Sequence, residues 1–301
     1  MPNASRLAHL RARLELPVTR RATGLLDGRH RSVLQGHGQD FDDLSLYTPG
    51  DDVGDIDWKS SARTGIPVIK RFVRQSNLTL VLAVDTGRTM AAASAGGEPK
   101  GDVVTNAATL IAYLARDRGD RVALVAADSG RLRQLPPRGG TAHLEVVLRL
   151  IERAITLDAP PSDLDRVLDR VAGGFTRRAL VVLLTDEANP TSAHAQALRN
   201  VCTRHELLVL SVADADPLSV PSGFAAGAPR TRDVGDGWTV PAWLQGRAEL
   251  QAAAAARRAE QAAERAAMLR RLRVHDVVVR SSDDVVPAMV DLLTRSRRAR
   301  R

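Results

Sequence analysis

Leu78-Thr79-Leu80-Val81-Leu82-Ala83-Val84-Asp85 is a nearly continuous apolar run closed by a carboxylate. A strand with one wet face alternates apolar and polar residues. A run that stays apolar on both faces is expected of a parallel strand covered by helices on either side. Val103, Ala107, Leu110, Ile111 and Leu114 follow at helical spacing. The unit then repeats. Strands are expected at 121–127, 179–184, 207–212 and 274–279, and helices at 142–153, 162–172, 192–202, 244–273 and 285–294. Strand–helix alternation of this kind implies an α/β fold with a doubly wound, mostly parallel sheet and right-handed crossovers.

Working outward, residues 1–77 read as a turn-rich, β-rich N-terminal segment packed on that domain, with a β-compatible piece at 66–73. The α/β domain is expected to occupy 78–296. A Pro- and Gly-rich excursion over 214–243 interrupts it and is expected to be ordered by Trp238 and Trp243. Residues 297–301 form a basic tail.

Bulk properties narrow the function classes. The 301 residues carry a net charge of +8, which suits an acidic partner, but aromatics make up only 3%. Stacking platforms for single-stranded nucleic acid need aromatic faces, so nucleic-acid or other polyanion binding through the basic surface is the alternative reading rather than the first. No apolar run approaches the roughly 20 residues of a membrane span, and the first residues lack the apolar stretch of a signal peptide. The expected location is cytoplasmic. The lone Cys202 sits on an expected helix and reads as an inert core thiol. Lys100 is followed by Gly101 rather than Ser or Thr, no GxGxxG is present, and the seven histidines show no zinc spacing. Neither nucleotide nor zinc is therefore expected.

In open α/β sheets ligands bind beyond the carboxyl ends of the strands. Asp85-Thr86-Gly87-Arg88-Thr89 follows the first strand, Gly139-Gly140-Thr141 precedes a helix, and Thr185-Asp186-Glu187 closes the third major strand. Singly, each is also a cap or turn former. If the three loops share one edge, their hard oxygen donors suit Mg²⁺.

This pattern resembles the metal-ion-dependent adhesion site of von Willebrand factor A domains, Asp-x-Ser-x-Ser with a Thr and an Asp on two further loops. The resemblance assigns Asp85, Thr89, Thr141 and Asp186 as metal ligands. Gly87 departs from it, lacking the hydroxyl of the first Ser, and Arg88 places a fixed positive charge beside the cation. A second motif, Pro49-Gly50-Asp51-Asp52 with Asp57-Trp58 and Arg63, resembles the signature of the bacterial family catalogued as domain of unknown function 58, which precedes an A-like domain there as here. In this segment the turn, an Asp57–Arg63 pair and Trp58 packed on the A-like domain read as a structural clasp.

The two resemblances imply a non-enzymatic interaction module that works with a MoxR-type AAA+ ATPase. A partner carboxylate would complete the metal site or, without metal, bond to Arg88 beside Glu187. A metal-dependent phosphohydrolase using Asp85 ranks last, because no Lys stands out near that residue.

Overall fold

The computed structural model describes residues 40–47, 56–73, 78–117, 119–218, 232–241, 244 and 247–298. Among the described residues, 40–73 belong to one compact unit and 78–298 to another.

In the smaller unit, β1 (Asp40–Leu46) and β2 (Val68–Val73) pair antiparallel, with an irregularity between Phe41 and Asp43. The expected strand at 66–73 is thus present. Between them lies α1 (Trp58–Thr64), a two-turn helix that apolar periodicity does not announce. Its ends explain it. The Asp57 carboxylate accepts from the backbone N–H of Lys59 and Ser60, and Gly65 closes the helix at φ 71°. Left-handed backbone of this kind favours glycine. Asp57 therefore serves as the N-cap of the helix that carries Arg63 in its last turn. Trp58 is exposed. Pro49, Gly50, Asp51 and Asp52 lie outside the described residues.

The larger unit holds a six-stranded sheet of β3 (Thr79–Asp85), β4 (Arg121–Ala127), β5 (Leu132–Arg138), β6 (Leu180–Asp186), β7 (Glu206–Val212) and β8 (His275–Val279). Its order is β5-β4-β3-β6-β7-β8. All neighbours are parallel except the β4–β5 hairpin. The sheet is covered on both faces, as the apolar runs require. On one face α2 (Lys100–Asp117) packs with α3 (Thr141–Ala154) and α7 (Val285–Arg298). On the other, α4 (Leu164–Gly174), α5 (Ala195–Arg204) and the end of α6 (Ala248–Arg271) close over Val81, Ala83, Val125, Val181, Leu183 and Val209. Cys202 packs against this cluster, and burial pushes its thiol up to about 11.

Part of the excursion, 214–218 and 232–241, is among the described residues. Trp238 is exposed and Trp243 lies outside the described residues. The turn at 232–239 is instead held by Asp233, whose carboxylate accepts from the N–H of Gly235 and Asp236, the short-range bonding for which Asp favours turns.

Candidate functional site

Parallel register brings the carboxyl ends of four strands level. Asp85 stands opposite Ala127 of β4, and Asp186 stands opposite Val212 of β7. The chain leaves β3 for β4 on one side, while β6 lies on the other. The crevice between the ends of β3 and β6 is therefore the topological switch point, where sheets of this type bind ligands.

Asp85 is fully buried at this point. Its Oδ1 accepts from Gly87 N–H at 2.9 Å, and its Oδ2 accepts from the hydroxyls of Ser162 and, at 3.3 Å, Thr185. Burial pushes its carboxyl above the ordinary value; the bonds from Ser162 and Gly87 pull it down, and the charge of Asp186 adds to the rise. Ser162 arrives on the Pro160-Pro161-Ser162 loop, which also accepts from Arg88 N–H through the Pro160 carbonyl (3.0 Å) and from Ser129 N–H through that of Pro161 (2.9 Å). The approach is close: a Cβ on Gly87 would lie 2.4 Å from Ser162 N. Gly87, the departure from the A-domain pattern, is thus the residue that lets Ser162 reach Asp85.

Next to it, the buried Thr86 donates through its hydroxyl to Asp128 at 3.4 Å. Asp128 accepts in turn from Gly130 and Arg131 N–H. On the β6 side Asp186 is nearly buried, accepts from Asn189 at 3.3 Å, and has Lys100 Nζ 3.8 Å from its Oδ2. Lys100 is 1% exposed and donates to Asp214, just beyond β7. Burial raises the Asp214 carboxyl, with Lys100 pulling against the rise. The Glu187 carbonyl accepts from Arg265 of α6. Arg88 donates to the Gly235 carbonyl at 3.4 Å, while its Nε and the Thr89 hydroxyl are buried without a hydrogen-bond partner.

The structure thus gathers Asp85, Arg88, Thr89, Asp186 and Glu187 on one edge. Thr141 is elsewhere. β5 runs back antiparallel to β4, so Arg138 pairs with Val122 near the start of β4. The helix that follows begins at the amino edge, where His143 contacts the Val122 carbonyl and Thr141 lines a crevice with Thr109, Tyr113 and Arg116. Read from sequence, the β4–β5 connection did not show which edge the next loop would reach. The loop that does reach Asp85 carries Ser162, and the diprolyl step before an N-capped helix was its one visible sign. Lys100 was likewise missed. Its signal was a cation opening a helix, where the helix dipole opposes it.

The Mg²⁺ that the A-domain resemblance implies can be tested against these donors. Position 87 has no side-chain oxygen, both Asp85 oxygens are already hydrogen-bonded, Thr141 is on the far edge, and Lys100 faces Asp186. The buried, unpartnered Thr89 hydroxyl is the one donor of the pattern left open. The four residues assigned from sequence therefore do not form one donor set, and the ammonium against Asp186 disfavours a divalent ion there.

A family model described as protein of unknown function DUF58 matches residues 43–264. The chain belongs to the DUF58 family. Uncharacterized proteins of Mycobacterium bovis and Mycobacterium tuberculosis are 31% identical to this DUF58 chain over 211 residues. The match covers 69% of the chain but only 65% of the relatives' own length. Solved structures similar to it include BatB of Bacteroides thetaiotaomicron (14% identity, TM-score 0.42, covering 73% of this chain and 99% of that one). A von Willebrand factor type A protein of Catenulispora acidiphila is another (13%, TM-score 0.40, covering 76% and 44%). An aerotolerance-related membrane protein of Bacteroides fragilis matches at 15% and TM-score 0.41, covering 72% and 99%. In this DUF58 chain, among the described residues, no helix is long and apolar enough to cross a membrane.

Proposed function

We propose that this chain is a non-enzymatic interaction module that receives an acidic segment of a protein partner at the carboxyl edge of its sheet. Arg88 is the receiving cation, Glu187 its neighbour on the rim, and the partner a MoxR-type AAA+ ATPase, as the family resemblance implies. The observation that carries the reading is the under-used guanidinium of Arg88. It makes one long bond to a backbone carbonyl and keeps a buried Nε without partner. Arg offers five donors in a planar fork that suits a carboxylate. The non-enzymatic reading draws on Asp85, whose buried carboxylate accepts three hydrogen bonds, as suits a scaffold rather than a nucleophile.

The test is the affinity of the purified chain for a MoxR-type ATPase of the same organism, with and without EDTA. Arg88→Ala is expected to weaken binding at least tenfold, about what one charge-assisted bond contributes, and the remote Arg149→Ala to leave it unchanged. Equal affinity of Arg88→Ala and wild type would remove Arg88 from the contact. Loss of binding in EDTA would assign the contact to a divalent ion held by Thr89 and Asp186. If mixed-sequence DNA bound instead, with a steep salt dependence, the polyanion reading would prevail.

A further inference from the structure

Lys100 opens α2 with its side chain 1% exposed. Two forces oppose a cation in this place. The helix N-terminus carries partial positive charge, and taking an ammonium out of water disfavours its charged form. What offsets them is a pair of carboxylates from two other strand ends. Lys100 Nζ donates to Asp214 and lies 3.8 Å from Asp186 Oδ2. Among the described residues, the ion pairs of both carboxylates are made by this one ammonium.

Asp186 is the residue that the A-domain pattern assigns to the metal. A divalent ion seated against it would share the carboxylate with a buried ammonium and meet its repulsion. The rest of the pattern has changed in the same direction. Gly87 gives up an oxygen, and the space is filled by the Ser162 loop, whose hydroxyl binds Asp85. The tethered ammonium supplies the charge that offsets the two carboxylates, a part that the missing neutral hydroxyl could not play.

We propose that Lys100 Nζ is the resident cation of this rim, standing where a divalent ion would otherwise neutralise Asp186 and Asp214, so that the site is built to work without metal. For partner binding this rests on the reading of the rim as a docking edge; for metal binding it stands alone, and its test involves no partner.

The experiment is calorimetric titration of Mg²⁺ and Mn²⁺ into the full chain, paired with thermal unfolding in EDTA and in Mn²⁺. Wild type is expected to give no saturable heat up to millimolar metal and the same midpoint in both solutions. Lys100→Met, which keeps the stem and removes the charge, is expected to gain one saturable Mn²⁺ site and a midpoint that rises with Mn²⁺. Adding Asp186→Asn to it should abolish both gains. Saturable binding to wild type that disappears in Asp186→Asn would overturn the proposal, and this arm decides even if Lys100→Met does not fold. A folded Lys100→Met that gains no metal site would overturn it as well, since these carboxylates would then not form a cation site.

Discussion

At position 87 a Cβ would lie 2.4 Å from Ser162 N and 2.5 Å from its Cα. Backbone cannot give way as a flexible side chain can, so even alanine must push the Pro160–Ser162 loop outward. Overpacking of this kind costs about 1–3 kcal/mol. Gly87→Ala is expected to lower the urea unfolding free energy by that amount; a variant as stable as wild type would show that the loop is not held against β3. Asp85, the residue this contact serves, carries a pH signature. Its carboxyl is raised in the folded chain, chiefly by burial, so the folded state binds a proton more readily than the unfolded state. The corresponding stability is fully present below the unfolded value of about 3.9. It is lost as pH rises through the higher folded value. Asp85→Asn, neutral at every pH, removes this dependence. Its stability relative to wild type should therefore increase from about pH 4 upward, as read by urea unfolding at a series of pH values. A constant difference would show that Asp85 does not titrate abnormally.

Elements form here for two separate reasons, and α1 illustrates the second. The strands β3, β4, β6 and β7 are dictated by apolar runs that only a doubly covered sheet can bury. α1 has no buried residue and seven residues in all, too few for propensity to hold it. Its ends hold it, through Asp57 at one and Gly65 at the other. Asp57→Ala should cost about 0.5–2 kcal/mol, seen as faster amide exchange at Lys59, Ser60 and Ser61 with β3 and β6 unaffected. Unchanged exchange in the helix would mean that packing, not the cap, maintains it. The β4–β5 hairpin matters at the same scale. One antiparallel connection moves Thr141 to the opposite edge of the sheet and gives its expected place to Ser162.

Across the whole molecule, charge is distributed against the bulk value. The chain is net positive by eight, yet the carboxyl edge carries Asp85, Asp128, Asp186, Glu187 and Asp214, with Lys100 against Asp186 and Asp214 and Arg131 against Asp128. Net charge alone points to a polyanion, whereas the carboxylates of this edge do not. On the proposed reading such a rim would recognise a partner by local pairing, with specificity set by which cation remains available. Arg88 is available and Lys100 is committed.

What the sequence determined by itself was the α/β architecture, the edge on which Asp85 and Asp186 would meet, and the family. Apolar runs, helical periodicity and the two motifs are local, and burial on both faces leaves a parallel strand few alternatives. Only the tertiary structure decided which residues complete the site. Ser162 lies 77 residues from Asp85, and Lys100 lies 114 from Asp214. Contacts at such separations depend on strand order and on one hairpin's direction, and a hydroxyl or an ammonium carries no periodicity by which to trace them.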